Sequence, residues 1–211
     1  MNPILLILLG FLQLASAHFR VDYPYWRGDS FSTQYTRPCG GVNVTNNRTE
    51  WPLDGGSIRF SPSHKWAFTY VNLAIGNDDT MIFNISLVPV FNQTGNGTFC
   101  FPKVKLPSGL SISAGTNASI QVIQASEFGS SLYNCADITF TENARTLGND
   151  QCQNSTNVGG VAIGGSISMP SGTSPSKPTA SGSSAAGSLA STSTWNAGIA
   201  AIVFGLIGNL L

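Results

Sequence analysis

Hydrophobic and polar positions alternate with a period of two along the middle of this chain of 211 residues. Met81-Ile-Phe-Asn-Ile-Ser-Leu-Val88 sets Phe83, Ile85 and Leu87 against Asn84 and Ser86, the signature of a half-buried strand. Asn84 opens an Asn-x-Ser/Thr sequon, and a glycosylated asparagine must face water, which independently turns the apolar set inward. Similar runs span Ser57–Phe60, Trp66–Ile75, Ala118–Ala125 and Leu132–Thr141, separated by clusters of Gly, Pro, Asn and Asp. Long amphipathic helical periodicity is absent, and no internal repeat is visible. Several short strands with turn signals predict an all-β domain built as an antiparallel β-sandwich.

The two ends break this pattern. All charged side chains lie between Arg20 and Lys177. Ile4–Leu14 has the length of a secretory apolar core, and Ala15-Ser16-Ala17 supplies the small-residue cleavage pattern, although no Lys or Arg precedes it. Residues 1–17 are therefore expected to be a signal peptide, with His18 as the mature N-terminus. At the other end, a Ser/Thr/Gly/Pro-rich stretch from Ser166 to Thr194 runs into the apolar segment Ala197–Leu211. That segment falls short of the roughly 20 residues a spanning helix needs, and no basic residue follows it. Small residues Ser183, Ser184, Ala185, Ala186 and Gly187, then a polar spacer and an apolar tail, match a glycosylphosphatidylinositol (GPI) signal, with Ser184 as the expected attachment site. Residues 161–194 read as a flexible, O-glycosylated stalk and residues 195–211 as a tail removed on maturation. Residues 18–160 remain, enough for one core but not two.

Composition narrows the function. With 10 Lys+Arg against 10 Asp+Glu the net charge is zero, which argues against nucleic acid as a partner, because neutralising phosphates needs a basic surplus. Sequons at Asn43, Asn47, Asn84, Asn92, Asn96, Asn117 and Asn154 would be glycosylated on a secretory route. In that oxidising compartment Cys39, Cys100, Cys135 and Cys152 imply two disulfides, for which three connectivities are open. Cys39–Cys152 with Cys100–Cys135 is expected, since the first bond would tie the ends of the domain together. No Cys-x-x-Cys spacing suggests zinc or an iron–sulfur cluster. The sandwich expected is of the immunoglobulin-like kind, and the chain is expected to be a monomer.

The chain has two histidines, His18 and His64. Once Ala17 is removed, His18 offers one metal both its α-amine and its ring Nδ1, and a second imidazole completes a roughly planar set of three nitrogens. Such a set suits Cu(II), which also heads the divalent affinity series. The amine must be deprotonated to bind, and its reference pKa of about 7.7–8.0 makes that inexpensive near neutral pH. His64, in Ser61-Pro-Ser-His-Lys-Trp66, could equally be an exposed loop residue. Other constellations are weaker. No Gly-x-Ser-x-Gly elbow supports a Ser/His/Asp triad, Asp78-Asp79 lies in a turn-like Gly76-Asn-Asp-Asp-Thr80, and Tyr23, Tyr25 and Trp26 could be a carbohydrate-stacking face or simply core and rim.

Ala17 followed by His18-Phe-Arg-Val-Asp-Tyr-Pro-Tyr-Trp-Arg-Gly-Asp, then Arg37-Pro-Cys-Gly-Gly41, His64 and Asn134-Cys-Ala-Asp137, resembles the fungal copper-acquisition factors, GPI-anchored proteins that are lytic polysaccharide monooxygenase-like. The resemblance implies an immunoglobulin-like sandwich with a copper histidine brace on His18 and His64, and a carboxylate ligand on Asp137. On its own, Asp137 sits in a strand-like run whose Ile138 and Phe140 face the opposite, inward side, and could be an ordinary solvated residue. An anionic third ligand would stabilise Cu(II) over Cu(I) and occupy space that oxygen needs. The expected function is capture of one Cu(II) per chain at the outer face of the plasma membrane, for a copper importer or metalloreductase, without catalysis. The rivals are a copper monooxygenase acting on cell-wall polysaccharide and a glycosylated wall or adhesion protein that binds no metal.

Overall fold

The computed structural model describes residues 18–126 and 129–163. The expected signal peptide, the stalk beyond residue 163, Ser184 and the apolar tail lie outside the described residues. Among these residues there is no helix, and nine strands form two sheets. They are β1 (Arg20–Tyr23), β2 (Thr49–Pro52), β3 (Gly55–Ser61), β4 (Trp66–Ile75), β5 (Ile85–Thr94), β6 (Phe99–Lys105), β7 (Asn117–Ser126), β8 (Ser131–Thr141) and β9 (Gly159–Ala162). A three-stranded sheet has the order β1-β3-β6, and a six-stranded sheet the order β2-β8-β7-β4-β5-β9. This is the all-β, immunoglobulin-like sandwich expected, with β9 carrying strand structure past the boundary read at residue 160.

Four of the five predicted runs coincide with β3, β4, β7 and β8 to within a few residues. The fifth is shifted. Met81–Asn84 is irregular, and β5 begins at Ile85 and continues to Thr94. Pro89 inside β5 lies at an irregularity in the pairing with β4 and short of the stretch Phe91–Thr94 that pairs with β9, so its missing N–H interrupts no regular ladder.

One pairing corrects the purely antiparallel expectation: β2 runs parallel to β8, with Trp51 opposite Phe140. A parallel neighbour needs a crossover connection, and β3 to β7 provide it. Alternation of side chains records which face a residue takes but not the direction of the neighbouring strand.

The core fills the space between the sheets. Phe19, Val21, Ile58, Phe60 and Phe99 on one side meet Leu73, Phe91, Ile120, Ile138 and Phe140 on the other, all fully buried. The Phe60 and Phe99 rings stack at 5.1 Å and the indole of Trp51 stands edge-on to Phe140 at 5.7 Å. β8 is buried on both faces. Its even-numbered Leu132, Ala136, Ile138 and Phe140 enter the core, whereas Tyr133, Cys135 and Asp137 lie on the outer face beneath the long segment between β1 and β2.

That burial explains the disulfides, which correct the expected pairing. The bonds are Cys39–Cys135 and Cys100–Cys152. Cys39 belongs to the segment that covers the outer face of β8, so Cys135 is the thiol it meets. Cys100 of β6 instead bonds to the loop after β8, where the Asn154 side-chain oxygen also accepts the Cys100 N–H at 2.8 Å.

Candidate metal site

The β1–β3 register decides where the histidines lie. Arg20 pairs with Ser61 and Val21 with Phe60. Continuing that antiparallel register by two residues sets His18 opposite Ser63, and the Ser63 hydroxyl donates a hydrogen bond to the His18 carbonyl. His64 follows directly, buried at 5% exposure. The turn that carries it is fastened to the β5–β6 connection, where the Gly95 N–H donates to the Lys65 carbonyl at 2.7 Å and the Gly97 N–H to the Pro62 carbonyl at 3.0 Å. Gly95 has φ +80°, and a Cβ there would lie 2.2 Å from the Asn157 carbonyl oxygen, so only glycine fits.

The segment just after His18 is held by side chains. Buried Gln34 accepts the Phe19 N–H at 3.2 Å and donates back to the Phe19 carbonyl at 2.6 Å. Asn134 accepts the Val21 N–H at 3.0 Å and donates to Ser30 Oγ at 3.0 Å. The His18 ring stands edge-on to Phe31 at 5.6 Å, Phe31 lies 5.6 Å from Trp26, and the Arg20 guanidinium sits over Trp26 at 5.9 Å. Beside them is a cleft of about 290 Å³ lined by His18, Phe19, Arg20, Phe31 and Ser61.

Neither Gln34 nor Asn134 stood out as a candidate in the sequence, yet one signal was there. Asn134 is a polar residue in the apolar phase of β8, between Leu132 and Ala136, and such a position needs a specific partner. We expect Gln34→Leu to leave the fold intact while loosening Phe19 and hence His18. Cu(II) titration of the mature protein should show affinity reduced about tenfold, the lower end of what losing a supporting hydrogen bond costs a metal site.

Asp137 is not with the histidines. It lies on the outer face of β8, 1% exposed. One oxygen takes hydrogen bonds from Arg27 Nε at 3.0 Å and from the Ser119 hydroxyl, and the other accepts the Thr45 N–H at 2.9 Å. Arg27 is satisfied in turn, donating to the Val42 carbonyl at 3.1 Å and to Ser119 Oγ at 3.0 Å. Arg48 lies close by and donates to the Ala118 and Ile138 carbonyls at 3.0 and 3.1 Å. Burial lowers the pKa of its guanidinium, a shift the Asp137 charge opposes and the Arg27 charge reinforces. The carboxylate expected to bind metal is thus committed to a buried ion pair, with Ile138 and Phe140 on the opposite, inward side as expected. The solvated alternative fails too, because the segment between β1 and β2 covers the carboxylate.

The weaker constellations resolve similarly. Asp78 caps a turn by accepting the Thr80 N–H at 2.8 Å and its hydroxyl, and these bonds hold its carboxyl below the usual range. Tyr23 and Trp26 pack against the core, and burial raises the pKa of the Tyr23 phenol. Only Tyr25 of that trio is well exposed, so the three form no flat face.

Among the described residues no three His, Cys, Asp or Glu side chains converge in a way that could hold a metal. The register instead sets His18 beside the turn that carries His64, and a further nitrogen there is the His18 backbone nitrogen. That nitrogen is an amide while Ala17 is attached and an amine once it is removed. Were that nitrogen and both rings to share one ion, the all-nitrogen set would suit copper(II) in tetragonal geometry.

A model described as the copper acquisition factor BIM1-like domain matches residues 16–157. The chain belongs to the BIM1-like copper acquisition factor family. It is similar to the lytic polysaccharide monooxygenase-like protein ham-7 of Neurospora crassa, at 36% identity over 75% of this chain and 80% of the relative. It is also similar to the lytic polysaccharide monooxygenase-like protein X325 of Hypocrea jecorina, at 35% over 75% and 80%. The copper acquisition factor BIM1 of Cryptococcus neoformans is 29% identical over 66% of this chain and 67% of its own length. Membership of the BIM1-like family supports a copper-related function, and the matched span takes in both histidines.

Proposed function

We propose that this BIM1-like protein captures Cu(II) at the cell surface and hands it on for import, and that it does not oxidise polysaccharide. The signal peptide is cleaved after Ala17, and the copper is held by the His18 α-amine, the His18 ring and the His64 ring, one ion per chain. The chain is N-glycosylated in the secretory route and anchored through a GPI group at Ser184. A copper importer or metalloreductase at the membrane receives the metal.

The observation that carries this reading is the β1–β3 register, which brings the residue after a signal-peptidase motif against the turn bearing the other histidine. Two residues far apart in the chain have no reason of packing to be the molecule's two histidines. Their juxtaposition supplies the chelate that copper needs.

Cells that make the protein provide the test. In copper-poor medium its loss should slow growth and added copper should restore it, while a phosphatidylinositol-specific phospholipase should release the protein from intact cells. Release of oxidised sugars from wall polysaccharide would instead favour the monooxygenase reading. Failure of copper to rescue growth would remove the acquisition role.

A further inference from the structure

The outer face of the six-stranded sheet carries an aromatic stripe remote in function from the histidines. Along β4, Trp66, Phe68 and Tyr70 alternate with fully buried Ala67, Thr69 and Val71. Phe68 and Tyr70 are 40% and 38% exposed, and the Trp66 ring stands edge-on to Phe68 at 5.4 Å. Singly exposed aromatics need no explanation, but a contiguous row does.

The register says what lies beside it. Phe68 is directly opposite Asn92 of β5, and Asn92 is directly opposite Val161 of β9, itself 62% exposed. Trp66 is opposite Thr94. Directly opposed residues of an antiparallel pair share a face, with Cβ atoms about 4.5–5.5 Å apart. The acceptor and the hydroxyl residue of the sequon Asn92-Gln-Thr94 therefore both lie on the aromatic face. Of the seven sequon asparagines, Asn92 alone is in the interior of a strand. Its side-chain oxygen is buried and takes no hydrogen bond among the described residues, an orphan acceptor that costs the bare protein stability.

We infer that Asn92 carries an N-linked glycan whose first N-acetylglucosamine packs on Phe68 and Tyr70, so that the stripe is a platform for the protein's own sugar. This rests on the secretory route proposed above. The occupant fits in three respects. The C–H face of a pyranose is an apolar surface that stacks on an aromatic ring while its hydroxyls stay in water. The amide linkage makes the contact intramolecular, so a weak stacking energy suffices to populate it. A branched sugar rooted beside Phe68 also shields the face that would otherwise invite a second sheet.

Glycopeptide mass spectrometry of the secreted full chain reads occupancy, and proton NMR reads the contact through the ring-current shift of the N-acetyl methyl. Asn92 should be occupied, with an upfield-shifted methyl signal that Phe68→Ala returns to its ordinary position. Trimming the folded wild type to one sugar per site should leave the melting temperature unchanged, because the first sugar makes the contact. Asn92→Gln and Phe68→Ala should each lower it by about 2–4 °C, the shift expected of one ordinary contact in a domain of this size, and the double variant should lose little more than either alone. Additive losses, an unshifted methyl, or a bare Asn92 on a chain glycosylated elsewhere would overturn the inference while sparing the secretory reading. A chain bare at every sequon would overturn both.

Discussion

Asp137→Ala is expected to lower the unfolding free energy by about 3–5 kcal/mol, the cost of breaking a buried ion pair by removing one partner. The loss falls on what remains. The Arg27 side chain is 3% exposed and would keep its charge with only the more distant, half-exposed Asp79 carboxylate, at 3.7 Å, beside it. The Thr45 N–H would lose its acceptor, freeing the segment that Cys39 fastens to β8. Such a loss is a large share of the roughly 5–15 kcal/mol that holds a domain together, so the denaturation midpoint should move sharply. Asp137→Asn keeps an oxygen for Arg27 or Thr45 and should lose less. Both variants, under conditions where they remain folded, should titrate one copper with wild-type affinity. A protein whose copper affinity collapses while its denaturation midpoint stays in place would restore Asp137 as a ligand.

His64→Ala reverses the pattern. In the proposed site His64 supplies one of three nitrogens, so its removal would leave a two-nitrogen chelate on His18. Cu(II) affinity should fall by at least the tenfold to hundredfold typical even of losing a supporting group around a metal. The stability of the metal-free protein should change by less than in Asp137→Ala, because His64 lies in a turn and not between the sheets. Competition against a chelator of known affinity measures the first, and denaturation of the metal-free protein measures the second.

These contrasting outcomes follow from how local each feature is. The strands β3, β4, β7 and β8 were legible because alternation is a property of neighbouring residues. β2 was not legible. Four residues containing a Pro carry no usable period, and their parallel partner lies on the far side of five intervening strands. The disulfides failed for the same reason. The expected pairing joined the ends of the domain, whereas the actual one depends on the segment between β1 and β2 folding over the odd-numbered face of β8. That cover is also what turns Asp137 from an apparently solvated or ligating carboxylate into half of a buried pair. Arg27 offered no signal as its partner, since the two are brought together only when the segment between β1 and β2 folds over β8.

The histidine pair was legible by another route. No period or motif links residues 18 and 64. What singled them out was that the chain's two histidines included one standing at a cleavage motif, and the β1–β3 register sets that residue beside the turn that carries the other.

The most direct test of the copper site is the electron paramagnetic resonance spectrum of the Cu(II)-loaded protein in two forms, one beginning at His18 and one retaining Ala17. The form beginning at His18 should bind one copper with hyperfine structure from three nitrogens, and the form retaining Ala17 should lose that spectrum together with most of its affinity. Identical spectra and affinities for the two forms would mean that the His18 amine is not a ligand, and would contradict the site described.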